Sequence, residues 1–394
     1  MADAAAHGEA TGDEHTPRAF LARAFEPTIV AVFSALYFAF AYHVAEPTPR
    51  TGNAGWTGWH DQSQYYVIVK ILATGHLPVG ADTFTYGLGY PITAVVPYLL
   101  GALTDSFIIP SIILTSLALA FVLIAARRLI GRAGAWVVVT LLMLASPLLP
   151  ATVEPWNTTI TVFCFAAALA IGTMKHLAWP WYIVLGLLAA WTYSARFVDI
   201  IAILAVAVVA IFRERRGRWW LGLTVGVATL AACGVLLGWI QWKALGSVFT
   251  TPYLSHTRLN GATNDQSWAE YPLSNIPLHF KSEFFTAFSS GRRQPNVSPL
   301  LLVSPYLVLA PVGFVLAVIR DRGRRLFHIA VAVATIALGL FYLAFVAGGG
   351  DDLIYGNQRY YLPWYFYWTI LAVYAAQRLL ALIPSRRLVR SGTP

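Results

Sequence analysis

Residues 177–212 read LAWPWYIVLGLLAAWTYSARFVDIIAILAVAVVAIF, an almost unbroken apolar run with Arg196 and Asp199 near its centre. As one straight helix it would extend about 54 Å, well beyond the ~30 Å of hydrocarbon in a bilayer. A charged pair at the middle of such a span is costly, so the run is expected to fold as two short spans joined by a tight turn at Arg196. That hairpin puts Lys175 and Arg213 on one side and Arg196 on the other.

Working outward, further apolar runs of spanning length lie at about 28–45, 107–126, 133–150, 158–174, 219–240, 299–319, 327–347 and 362–380. With the two limbs of the hairpin this makes about ten transmembrane helices. The composition agrees: 58% of the 394 residues are hydrophobic and 11% are charged, against about 25% charged in soluble domains. A water-soluble protein is excluded. Cys164 and Cys233 each sit inside an apolar run, which excludes a disulfide framework.

The net charge of +9 is a topology signal. With the N-terminus cytoplasmic, about two thirds of the 27 Lys and Arg fall on the inner side, clustered at Arg127–Arg132, Lys175, Arg213–Arg218 and Arg320–Arg325. This is the positive-inside pattern, and no nucleic-acid partner is expected. Residues 1–25 are polar and read as a disordered cytoplasmic tail. A single membrane domain is expected over 26–382, followed by a short cytoplasmic tail at 383–394. The fold class is all-α and polytopic.

Three outer loops, at about 46–106, 246–299 and 348–362, hold most of the unusual chemistry. In the first, Tyr65, Ile68, Val69 and Leu72 recur at spacings of three and four, which predicts an amphipathic helix on the membrane surface that ends at Gly75. The stretch from Tyr90 to Leu103 carries Pro91 and Pro97 and is too short to span, so it reads as a second interfacial helix. Asp61 opens the surface helix, either as an N-cap or as a general base at the bilayer face. Arg196 and Arg359 lie near the outer interface, where cations mark polar sites by default and guanidinium groups suit phosphate. The plainer roles are an ion pair with Asp199 for Arg196 and interfacial snorkelling for Arg359. Glu154 sits in a further short outer loop, from Ala151 to Asn157. His60 and His76 have no zinc-type spacing, so the sequence assigns no metal ligand, though a divalent ion is not needed or forbidden by it.

The order of these segments is familiar. Asp61-Gln62-Ser63-Gln64-Tyr65-Tyr66 opens the surface helix, and Gly75-His76-Leu77-Pro78 and Tyr90-Pro91 to Pro97 follow. Then come Ala125-Ala126-Arg127-Arg128, Ala145-Ser146-Pro147-Leu148 and, before the last span, Arg359-Tyr360-Tyr361-Leu362-Pro363. This set resembles the GT-C superfamily of polytopic glycosyltransferases, and is similar to bacterial protein O-mannosyltransferases and aminoarabinose transferases. The likeness runs from residue 28 to about 212 and returns at the end of the chain. Where those relatives often carry Asp-Glu, this chain has Asp61-Gln62, and a single Pro91 follows Tyr90 where the aminoarabinose branch has paired prolines after a lysine.

The resemblance implies transfer of a sugar from a polyprenyl-phosphate donor to a hydroxyl-bearing glycan, lipid or protein acceptor, at the outer face of a bacterial inner membrane. It gives Asp61 and Glu154 the catalytic roles, Arg196 and Arg359 the donor phosphate, and His60, Gln62, Tyr65, Asn357 and Tyr360 the substrate cavity. The competing function is a transporter or flippase of lipid-linked sugars. A carrier would place polar residues through the bilayer midplane, and here the mid-span positions are almost wholly apolar.

Overall fold

The computed structural model describes residues 17–45, 60–84, 86–153, 156–213, 219–250, 273–285, 300–344 and 358–382. The hairpin is present: helix α7 (Trp179–Ala195) stops at Arg196, whose backbone turns extended at φ −152° and ψ 96°, and a 3₁₀ turn over Phe197–Asp199 leads into α8 (Ile200–Phe212). Asp199 closes that turn with a buried carboxylate, so the chain reverses where the apolar run is interrupted by charge.

Ahead of the hairpin lie α1 (Pro17–Ala45), α2 (His60–Ala73), α3 (Pro91–Pro97), α4 (Ile108–Leu144), α5 (Leu148–Val153) and α6 (Thr158–Gly172). After it come α9 (Trp219–Leu245), α10 (Asn275–Phe284), α11 (Ala310–Arg320), α12 (Arg325–Ala344) and α13 (Gln358–Leu380). Every regular element among the described residues is helical. Four stretches are long and apolar enough to cross a membrane: Ala24–Val44, Asp105–Leu144, Trp219–Leu245 and Arg322–Ala344. The other apolar runs form shorter helices, and α13, though long, is diluted by Tyr and Trp.

Helix α4 is not straight. Gly131 adopts φ 81° and ψ 172°, a conformation open to glycine and costly for residues with a Cβ. The chain doubles back there, because the Thr152 hydroxyl, just past the second limb, reaches Thr115 Oγ1 on the first at 3.4 Å. In an unbroken helix Thr115 and Leu144 would lie about 43 Å apart. The expected runs at 107–126 and 133–150 are therefore two limbs of one hairpin.

Long-range bonds sort the molecule into two ends. At one end Glu26 pairs with Arg127 at 3.2 Å and Arg132 at 2.5 Å, Arg213 donates to the Met174 carbonyl, and Arg324 donates to the Arg128 carbonyl at 3.0 Å. At the other end Tyr42 donates to Asp105 at 2.8 Å, Asn157 to the Ala195 carbonyl at 3.1 Å, and Trp191 to the Gly89 carbonyl at 2.8 Å. The basic clusters thus gather at one end and the chemistry-bearing residues at the opposite one.

Helix α6 is apolar all round and buried along nearly its whole length, so it forms the centre of the bundle. Helix α9 is its opposite: none of its most apolar window is buried, and Val235, Leu236 and Trp239 stand exposed. Among the described residues little covers this apolar helix, as suits a candidate membrane span. Close packing elsewhere depends on small residues, as at Gly313 of α11, where any Cβ would collide with the Leu371 carbonyl of α13.

The described residues of the 60–107 segment follow their apolar pattern. Tyr65, Ile68 and Val69 of α2 are buried, and the turn just after the helix carries Gly75 at φ 79°. The stretch from Tyr90 to Phe107 breaks into three short helical pieces, with Gly101 at φ 91° and Leu103 at φ 42°, and so does not span.

Candidate functional site

Arg196 is the centre of the site. Its side chain is 8% exposed, and its Nε lies 3.2 Å from Oδ2 of Asp199, which is 1% exposed. The guanidinium sits 4.4 Å from the Tyr360 ring centroid and 4.9 Å from that of Tyr342. Those two rings stack nearly parallel, 8° apart. The Tyr342 hydroxyl donates to the other carboxylate oxygen of Asp199. So the turn between α7 and α8 supplies the charged pair, and α12 and α13 supply one ring each, to a buried charged and aromatic unit. The ion pair between Arg196 and Asp199 foreseen as the plainer role is real.

The ion pair does not satisfy the whole guanidinium. Arg196 Nη1 is buried and has no hydrogen-bond partner among the described residues. A buried donor on a charged group normally finds an acceptor, and one left without calls for an explanation.

Arg196, Tyr342 and Tyr360 form one wall of a cavity of about 180 Å³, whose other polar lining residues include Tyr86, Asn157, Tyr193, Ser194 and Gln241. Tyr86 comes from the loop after α2. That loop is drawn onto the end of α7 through Gly87 and Gly89, where a Cβ at either position would collide with Ser194. The amide of Gly89 bonds the Ser194 carbonyl at 3.3 Å, and Trp191 holds the Gly89 carbonyl. Small residues thus let backbone meet backbone.

The cavity continues along α9. A hollow of about 290 Å³ between α7, α8 and α9 shares Tyr193, Leu237 and Gln241 with it. That hollow shares Gly234, Gly238 and Val248 with a wider apolar one of about 590 Å³ on the exposed face of α9, flanked by Trp239 and Trp242. A chamber with one charged wall at the helix ends therefore adjoins, through shared lining residues, the exposed apolar face of α9.

Asp61 stands behind one wall of this chamber. Helix α2 begins at His60, so Asp61 occupies the first turn, where a carboxylate also complements the helix dipole. The Tyr86 hydroxyl donates to Asp61 Oδ1 at 2.6 Å. Asp61 is thus one phenol away from the cavity, and not part of its wall. Tyr65 packs against Tyr86 and Tyr90, with ring centroids 4.9 and 5.3 Å away, and belongs to the core beneath the cavity, as does the buried Gln62. Tyr360 is the member of the expected cavity set that lines it. Glu154 and Asn357 lie outside the described residues, as do the side chains of His60 and Arg359, whose backbones open α2 and α13.

Tyr86, Asn157 and Tyr342 were not foreseen. Asn157 lies three residues past the already singled-out Glu154, but Tyr86 and Tyr342 become site residues only through folding. No group of three or more potential metal-binding His, Cys, Asp or Glu side chains occurs among the described residues.

Fold and site together define an all-helical protein with membrane-spanning character and a cavity at one end of its bundle. Compared with known proteins, the chain matches no family model, no curated protein and no solved structure.

Proposed function

We propose that the chain is a polytopic membrane glycosyltransferase that takes a sugar from a polyprenyl-phosphate donor and passes it to a hydroxyl-bearing acceptor. The observation that carries this reading is the buried Arg196, with its unmatched Nη1, on a chamber that runs into an apolar groove on the lipid-facing helix α9. An anionic head and a long apolar tail on one molecule fit both halves of that space.

In this reading the donor phosphate binds Arg196 and the isoprenoid tail lies along Gly234 and Gly238. The acceptor hydroxyl oxygen bonds to the anomeric carbon while the bond from that carbon to the phosphate oxygen breaks. The departing phosphate keeps the bonding electrons and is held by the guanidinium. The acceptor proton passes to the Tyr86 hydroxyl as the Tyr86 proton moves to Asp61, which makes Asp61 the base through one relay. Attack opposite the phosphate inverts the anomeric centre. The remaining apolar helices complete about ten crossings, with the basic end cytoplasmic and the Arg196 end facing outward in a bacterial inner membrane.

The same chamber and side groove suit a carrier of lipid-linked sugars, the second reading. The deciding experiment incubates purified protein in lipid with radiolabelled polyprenyl-phosphate sugars and compares wild type with Asp61→Asn. Sugar release that is lost in the variant is the expected result. Movement of donor between leaflets without release would overturn the enzyme in favour of the carrier.

A further inference from the structure

A second polar cavity, of about 210 Å³, lies at the basic end of the bundle, far from Arg196. Its walls include Arg320 at the end of α11, Asp321 in the following turn, His328 of α12, and Tyr374 and Arg378 near the end of α13. The floor is apolar, from Ile130 of the α4 hairpin and Leu371.

The charges here do not cancel. Asp321 is already engaged: its Oδ2 lies 3.5 Å from Arg324 Nη1, its Oδ1 accepts from the Arg324 amide at 3.2 Å, and His328 Nε2 is 3.6 Å away. His328 itself is buried and fixed on its other side by the Tyr367 hydroxyl at 3.0 Å. Arg320 has no hydrogen bond or ion pair among the described residues, and Arg378 likewise has none there, lying 5.0 Å from the Tyr374 ring centroid. Two guanidinium groups therefore border a cavity whose only carboxylate is taken, and the open guanidinium fork matches a phosphate ester.

We infer that this cavity is a binding site for a phosphate ester, filled by the headgroup of an anionic phospholipid. A lipid is favoured over free phosphate because exposed Ile319 and Leu379 stand next to the two arginines, an apolar track on which acyl chains can lie. Basic pockets between membrane helices on the cytoplasmic side are suited to such headgroups. This site is independent of the transferase reading, since it shares no residue with the Arg196 chamber.

The test is native mass spectrometry of the full chain in detergent, titrated with phosphatidylglycerol or phosphatidylcholine. Phosphatidylglycerol is expected to be retained at least about tenfold more strongly, and Arg320→Gln and Arg378→Gln are each expected to cost about tenfold in affinity. Arg322→Gln, in the same basic turn but outside the cavity, is expected to bind as wild type does. Both arginines are exposed at helix ends, so the variants fold, and the single variants report even if the double one does not. Equal retention of both lipids, or an unchanged Arg320→Gln/Arg378→Gln variant, would overturn the site. Displacement of the lipid by equimolar inorganic phosphate would overturn the lipid assignment.

Discussion

Arg196 shows how much one residue carries at a turn between two apolar helices. Its charge is tolerable because Asp199, Tyr342 and Tyr360 surround it, so removing it leaves a buried carboxylate without its cation. Arg196→Gln is expected to cost about 3–5 kcal/mol of stability, read as a fall in melting temperature in detergent. Neutralising both partners in Arg196→Gln/Asp199→Asn is expected to restore most of that loss without restoring donor binding. If the double variant is no more stable than the single one, the pair is not what holds this turn. Tyr86 separates chemistry from folding: Tyr86→Phe removes one hydroxyl at the Asp61 carboxylate and leaves the ring packed on Tyr65. Sugar transfer is expected to fall at least about tenfold, the worth of one hydrogen bond to a charged group, with the melting temperature little changed. Transfer at the wild-type rate would remove Tyr86 from the proton path.

Among the elements, α9 is the one whose exposure matters most. A Cβ on Gly234 would meet nothing within 4 Å, so a larger side chain enters open groove without a clash, and leaving glycine improves helix propensity. Gly234→Leu is therefore expected to fold, yet to weaken use of long-chain donors while sparing donors cut back to one or two isoprene units. Equal effects on both donors would detach the groove from the tail. The elements were unequally legible in advance. The break at Arg196 could be read from the chain because charge interrupts an apolar run, and α2 because Tyr65, Ile68 and Val69 share one face. The turn at Gly131 was legible as a gap between two runs. That Tyr86 reaches Asp61 was not, because it depends on Gly87 and Gly89 letting the loop lie against Ser194, a contact between segments about a hundred residues apart.

At the scale of the molecule, the two chemically distinct ends follow from helices alternating in direction. With Cys164 and Cys233 replaced by alanine, His76→Cys is expected to react with a membrane-impermeant maleimide in intact cells, and Arg322→Cys only after permeabilisation. The reverse pattern would invert the orientation and place the Arg196 chamber in the cytoplasm. The sequence by itself determined that the chain is helical and suited to a membrane, because the length and spacing of apolar runs and the placing of Arg and Lys are local properties. It also marked Asp61 and Arg196, since charge at a lipid boundary is conspicuous in one dimension. Only the tertiary structure decided that Arg196 keeps one unmatched nitrogen, that Tyr86 stands between Asp61 and the cavity, and that the cavity opens along α9. Those properties belong to the distances between helices, which the burial of side chains from several distant segments sets together.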